Sequence, residues 1–255
     1  MLLVIDVGNT NTVLGVYEGE NLLGNWRMLT KKNQTADEYA MELFNILQFN
    51  DINYKNIHKV TVSSVVPHIM HSLTNCMVRY LNLEPVIVGP GLKTGLKIRS
   101  ENPKEIGADR IVDAVAAFEL YGGPIIAIDF GTATTYDYVN EDYEFMYGIT
   151  SPGIKISADA LWTKTAKLPN IEIKQPDTIL ARNTITSMQA GLVYGCIGQT
   201  EYIVNKIKDE IGRDDIKVVA TGGLGRIISD ATEVIDIYDP LLMLKGLKII
   251  NDKNI

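Results

Sequence analysis

An apolar run ending in Asp, with Gly two residues later and small polar residues after it, occurs twice in this chain. Residues 4–17 read VIDVGNTNTVLGVY and residues 127–139 read AIDFGTATTYDYV. Leu2, Leu3, Val4 and Ile5 precede Asp6, and Ile125, Ile126, Ala127 and Ile128 precede Asp129. Each run reads as a buried strand, and the Asp-x-Gly that closes it reads as an abrupt turn. Gly8 corresponds to Gly131, and Asn9, Thr10, Asn11 and Thr12 correspond to Thr132, Ala133, Thr134 and Thr135. Glycine lets backbone N–H groups come close to an anion, and short hydroxyl and amide side chains can donate to it. A carboxylate cannot itself welcome phosphate, so it makes most sense as a direct or water-mediated ligand of a cation held against that phosphate. Either copy alone could be a tight hairpin in which Asp or Asn bonds its own backbone. The second copy lies close to half a chain length after the first, which favours a duplicated domain, each half presenting one loop to a shared cleft. The pattern therefore predicts a nucleotide and a cation.

Composition narrows the partners. A chain of 255 residues can form one large domain or two modest ones without a disulfide or structural metal. With 46% hydrophobic and 22% charged residues it has the make-up of an ordinary soluble globule. No run is long and apolar enough to span a bilayer, and the first residues form a strand pattern with no basic leader. The expected compartment is the cytoplasm, with no membrane partner. A net charge of -7 argues against a nucleic-acid surface, which needs concentrated Lys and Arg. Cys76 and Cys196 are too isolated for a disulfide framework and read as buried, reduced thiols. His68 and His71 can share a helix face, but no further Cys or His completes a zinc set.

The order of elements also repeats. A strand over Thr12 to Tyr17, a turn at Gly19 and Glu20, and a strand over Leu22 to Met28 form a meander after the first loop. Thr35 and Glu38 make a capping box for a helix whose Ala40, Leu43, Phe44 and Leu47 recur at helical spacing. Val60 to Ser63 is a short strand that runs into a loop. The second half follows with strands around residues 125 to 150, a long helix near Met188 to Ile211, and a strand over Lys217 to Ala220 running into Thr221-Gly-Gly223. Between the halves, Ile111, Val115 and Phe118 share one face of a helix that Gly122 and Gly123 end. The expected domains are residues 1–118 and 119–255, joined by a tight hinge rather than a flexible tether.

Asp6-Val-Gly-Asn-Thr10, Gly107-Ala-Asp-Arg110 and Asp129-Phe-Gly-Thr-Ala-Thr134 resemble the type III pantothenate kinases. Ser151-Pro-Gly153, Asn183-Thr184 with Ser187 and Gly191, Thr221-Gly-Gly223 and Leu244-Lys-Gly-Leu247 extend the match in order across nearly the whole chain. The resemblance implies an α/β fold of two ribonuclease-H-like (actin-like ATPase) domains with a nucleotide cleft between them. It also implies ATP-dependent phosphorylation of pantothenate to 4'-phosphopantothenate, the first step of coenzyme A biosynthesis, by a homodimer.

Carried over residue by residue, the resemblance has Asp6, Val7, Gly8, Asn9, Thr10, Asn11, Thr12 and Val13 wrap the ATP phosphates, with Asp6 holding Mg2+ through water. Thr132 also binds ATP, and Asp129 ligands K+ or NH4+; a second Mg2+ carboxylate is the other reading of Asp129. Gly107, Ala108, Asp109, Arg110 and Thr184 meet pantothenate, and Asp109 is the general base. Asp109 could instead only cap its helix, and Thr184 could simply start the next one. In two places the chain departs from the family pattern. Ser100 stands where an aromatic residue is usual, and Tyr147-Gly148 replaces a Gly-Gly pair. The rival reading is a non-catalytic, nucleotide-binding regulator of the same fold, against which the intact Asp6, Asp109 and Asp129 argue. Neither Gly-x4-Gly-Lys-Ser/Thr nor a protein-kinase His-Arg-Asp loop is present, which excludes those two kinase classes.

Overall fold

The computed structural model describes residues 1–254. Its strands are β1 (Leu2–Val7), β2 (Asn11–Glu18), β3 (Asn21–Leu29), β4 (Lys59–Ser64), β5 (Val86–Ile87), β6 (Lys97–Ile98), β7 (Ile125–Phe130), β8 (Ala133–Val139), β9 (Glu144–Pro152), β10 (Lys217–Thr221) and β11 (Ile237–Tyr238). The α-helices are α1 (Ala36–Phe49), α2 (Pro67–Cys76), α3 (Ala108–Tyr121), α4 (Ile154–Lys164), α5 (Thr184–Ile211), α6 (Gly225–Ser229) and α7 (Leu242–Lys253). The chain forms two compact units. Unit 1 takes Met1–Gly95, Asn102–Ala116 and Met243 onward; unit 2 takes Leu96–Glu101 and Ala117–Leu242.

In unit 1 the sheet runs β3-β2-β1-β4-β5. Strands β1, β2 and β3 are an antiparallel meander, whereas β4 lies parallel to β1 and β5 parallel to β4. Alternation along the strands sorts the side chains into two faces. Leu3, Ile5, Val7, Val60 and Val62 belong to a core shared with Tyr39, Leu43 and Leu47 of α1 and Ile69 and Leu73 of α2. The capping box forms as the sequence predicts: Glu38 N–H donates to Thr35 Oγ1 at 3.3 Å, and Thr35 N–H donates to Glu38 Oε2 at 2.8 Å. On the opposite face α7 covers the sheet. A Cβ at Gly15 of β2 would stand 3.0 Å from Val4 Cγ2 and 3.1 Å from Leu244 Cδ1, and Thr61 Oγ1 donates to Asn251 Oδ1 at 3.2 Å.

In unit 2 the sheet runs β11-β10-β7-β8-β9-β6. Strands β7, β8 and β9 are antiparallel, β10 is parallel to β7, and β11 is parallel to β10. Strand β6 adds a parallel edge beside β9. The run β9-β8-β7-β10-β11 thus repeats the order and directions of β3-β2-β1-β4-β5, so the duplication read in the two loops extends to whole sheets. The fold is α/β, of the ribonuclease-H-like, actin-like kind. Ile126, Ile128, Phe130, Tyr136, Val218 and Ala220 pack with Ile154 of α4, Val193 and Ile197 of α5, and Ile228 of α6.

Helix α5 starts at Thr184, one turn before the apolar pattern that begins near Met188, because Asn183 Oδ1 accepts from Thr186 N–H at 3.0 Å and caps it. Cys76 and Cys196 are buried, which pushes their thiols up to about 12 and about 11, so both are protonated and inert near neutral pH. No helix of the described residues is long and apolar enough to cross a membrane.

Within unit 1, α7 approaches α3 at Gly246. A Cβ there would stand 2.5 Å from the Val112 carbonyl oxygen, 2.6 Å from Val112 Cγ1 and 3.1 Å from Ala116 Cβ. Gly246→Ala is therefore expected to destabilise the protein by about 2 kcal/mol or more, although alanine usually favours a helix. Urea unfolding checks this, and an unchanged or raised midpoint would contradict the close helix approach.

Candidate active site

In unit 1 the first loop leaves β1 at its C-terminal end and closes quickly. Gly8 N–H donates to the Asn11 carbonyl at 3.0 Å, bringing the chain back into β2. Thr30, at the end of β3, clamps this turn from outside. Its hydroxyl donates to the Gly8 carbonyl at 2.7 Å and lies 3.0 Å from Thr12 Oγ1, and its N–H donates to the Thr10 carbonyl at 3.0 Å. Val7 and Thr12 are buried, so their part in the loop is backbone and bracing. Asn9 is exposed, and Asp6, Gly8, Thr10, Asn11 and Val13 are partly so.

The Gly107-Ala-Asp-Arg110 segment reaches the same end of this sheet. Val65, which follows β4, donates its N–H to the Val7 carbonyl at 3.1 Å, and a Cβ at Gly107 would lie 3.4 Å from Val65 Cγ1. That Cβ would also collide with Asp109 Oδ1, so glycine leaves the carboxylate its position. Helix α3 begins at Ala108, which puts Asp109 inside the first turn, where the helix dipole favours negative charge. Arg110 N–H donates to Asp109 Oδ1 at 2.8 Å. Burial nevertheless raises the Asp109 carboxyl above the ordinary Asp range, outweighing the lowering by the Arg110 N–H and guanidinium. A carboxyl moved upward in this way accepts a proton more readily than an exposed Asp.

In unit 2, Asp129 closes β7 with both carboxylate oxygens against glycine. A Cβ at Gly131 would stand 2.7 Å from Oδ2, and one at Gly222 would stand 2.6 Å from Oδ1. Gly222 also has φ +96, a conformation that suits glycine and strains other residues. The loop itself turns through Gly131 N–H donating to the Ala133 carbonyl at 3.1 Å. Gly153, the N-cap of α4, donates to the Thr132 carbonyl at 3.2 Å and packs so tightly that a Cβ would strike the Thr132 and Gly131 carbonyl oxygens. Thr132 keeps its side chain exposed. Thr184 is exposed at the first turn of α5.

The donor sets suit hard cations. Asp6 and Asp129 offer carboxylate oxygen, and Gly131 and Gly222 let the backbone approach the Asp129 carboxylate closely. Among the described residues no group of three or more His, Cys, Asp or Glu could hold a metal ion. A hard divalent cation that meets a lone carboxylate usually completes its shell with water and substrate phosphate, the habit of Mg2+.

Thr30, Gly153 and Gly222 brace the loops, and reading for chemistry did not assign them that part. Gly153 and Gly222 stand inside quoted motifs, whereas Thr30 has no local signal because its partners lie on another strand. At the departures, Arg99 is tied to Glu144 Oε1, with Nη2 at 2.6 Å, next to a partly exposed Ser100. Tyr147 is 61% exposed and stacks on Tyr138 with ring centroids 6.3 Å apart, so it fills no buried volume in unit 2.

The family model described as type III pantothenate kinase matches residues 2–206. This chain belongs to the type III pantothenate kinase family. A type III pantothenate kinase of Agathobacter rectalis is 59% identical over 253 residues, covering 99% of this chain and 97% of that protein. One of Geobacillus sp. (strain WCH70) is 51% identical over 255 residues, covering 100% and 98%. Among solved structures, a putative 2-dehydro-3-deoxygalactonokinase of Sinorhizobium meliloti aligns with a TM-score of 0.63 at 12% identity over 98% of this chain and 96% of that one, a likeness of fold. As a type III pantothenate kinase, the chain is an ATP-using enzyme that works with a divalent metal.

Proposed function

We propose that the protein transfers the γ-phosphoryl group of ATP to the terminal hydroxyl of pantothenate, giving ADP, 4'-phosphopantothenate and a proton in the first step of coenzyme A biosynthesis. The observation that carries this reading is Asp109, a carboxyl raised by burial in the first turn of α3, whose preceding Gly107 reaches Val65 at the end of the sheet where Asp6 stands. Asp109 accepts the hydroxyl proton as the C–O–P bond forms and the bond to the ADP oxygen breaks. In a loose transition state its main duty is orientation. Gly107, Ala108 and Arg110 position pantothenate with it, the Arg110 guanidinium suiting the substrate carboxylate, and Thr184 adds a hydroxyl contact. Residues 6–13 hold the ATP phosphates with backbone N–H groups and short polar side chains, and Thr132 contributes to the same substrate. Asp6 holds Mg2+ through water, and Asp129 holds K+ or NH4+; these ions, when bound, neutralise phosphate charge. The non-catalytic regulator reading is not favoured, given the family and these three carboxylates.

The duplicated halves of the sequence are assigned to residues 1–118 and 119–255, with the last helix of the second half, α7, packing within unit 1, and the compartment to the cytoplasm. The active form is assigned as a homodimer. Exposed Trp162, Ile185 and Tyr202, and the row Gly191, Gly195 and Gly198 on α5 with open space in front of each, support a helical approach by a second copy. Light scattering at assay concentration is expected to give twice the chain mass; a fully active monomer would contradict it.

Asp109→Asn is expected to cut turnover about 100-fold or more in a coupled ADP assay while ATP still binds. In the wild type, protonation disables the base, so turnover falls as pH drops, with an acid limb above the ordinary Asp range. For stability the sign is opposite. A raised carboxyl favours the folded state only while protonated, and that contribution is lost as pH rises through its folded value, so Asp109→Asn should melt no lower than wild type at pH 7. Near wild-type turnover in the variant would move the base elsewhere.

Activity is expected in potassium or ammonium and to collapse in sodium or lithium. Asp129→Ala, and Gly222→Ala through crowding of the Asp129 carboxylate, should lose this ion response together with activity. Equal rates in sodium and potassium would remove the monovalent ion from Asp129.

A further inference from the structure

Ser63 is fully buried, at 0% exposure, and its hydroxyl has no hydrogen-bond partner. A polar group left in that state costs about 1–3 kcal/mol, and buried hydroxyls are normally satisfied by protein, water or ligand. Its neighbours identify the missing partner. In the parallel pairing of β1 with β4, Ser63 stands opposite Asp6 and Thr61 opposite Val4. Paired positions of neighbouring strands send their side chains to the same face. Leu3, Ile5, Val7, Val60 and Val62 occupy the face toward α1 and α2, so Val4, Asp6, Thr61 and Ser63 share the other. One rung back, Thr61 is satisfied by Asn251 of α7 at 3.2 Å. Ser63 stands at the next rung, beside the carboxylate at the strand end.

The same juxtaposition recurs in unit 2, where Thr221 of β10 stands opposite Asp129 of β7. Each strand-end Asp thus has a hydroxyl residue as its parallel-strand neighbour, although valine would fill either buried position without a polar penalty. A hydroxyl offers one donor and two acceptor sites, the combination needed between a carboxylate and water bound to a cation. We propose that Ser63 is a positioning residue that orients the Asp6 carboxylate and the water shell of the divalent cation held there. This rests on the reading of Asp6 as the water-mediated Mg2+ site. Groups that orient a ligand from behind typically change metal affinity about 10- to 100-fold when removed.

The test is calorimetric binding of a non-hydrolysable ATP analogue to the full chain across a Mg2+ series, for wild type, Ser63→Ala and Asp6→Asn, with a melting curve for each. Ser63→Ala is expected to raise the Mg2+ concentration for half-maximal analogue binding about 10-fold while melting no lower than wild type, since it deletes an unsatisfied buried hydroxyl. Wild-type Mg2+ dependence in Ser63→Ala, with a shift in Asp6→Asn, would overturn the Ser63 assignment and leave the Asp6 site standing. A loss of analogue binding in Ser63→Ala that is equal at every Mg2+ concentration would assign Ser63 to packing and also overturn it. No shift in Asp6→Asn would remove the Mg2+ site itself, and the role of Ser63 with it.

Discussion

Asp6 and Asp129 each stand next to last in a central strand whose other residues are buried, so a carboxylate lies at the point where the sheet stops. Ionised carboxylate in such a place needs positive charge or donors near it, and phosphate needs the same. Gly8 and Gly131 let the backbone turn back within a few residues, so each loop keeps its N–H groups at the strand end. The rest of each unit holds that turn still. Thr30 clamps the first loop, Gly153 and Gly222 pack against the second, and the cores behind them fix the strands.

The two copies share a sheet order and differ in their supports. In unit 1 the loop is tied by a threonine hydroxyl from an antiparallel neighbour, and the helix carrying Asp109 begins against the loop that follows β4. In unit 2 backbone hydrogen bonds from Gly131 and Gly153 are joined by close packing: glycines at positions 131, 153 and 222 allow backbone and carboxylate to approach more closely than any side chain would permit.

Local chemistry was the legible part. The Thr35 and Glu38 cap, the meander after each loop and the strand leading into Thr221-Gly-Gly223 rest on neighbours within a few residues, and the structure has them where the pattern puts them. The start of α5 precedes the apolar pattern by a turn because Thr184, Ile185, Thr186 and Ser187 carry no apolar periodicity, and only Asn183 marks the cap. The two-residue strands β5, β6 and β11 are too short to have a period. Among the candidate residues, Asp6, Asp109 and Asp129 stand in motifs that a sequence displays. The brace at Thr30, the place of Ser63 opposite Asp6, and the return of α7 to cover unit 1 depend on pairings between distant segments that one sequence does not display.

The central claim is phosphoryl transfer from ATP to a hydroxyl acceptor. It is tested most directly by ADP release from the purified wild-type protein in Mg2+ and K+, with and without pantothenate, while phosphorylated product is counted in parallel. The expected result is one ADP for each 4'-phosphopantothenate formed and little ADP without the acceptor. ADP release that is indifferent to pantothenate, or none with the acceptor present, would contradict the account.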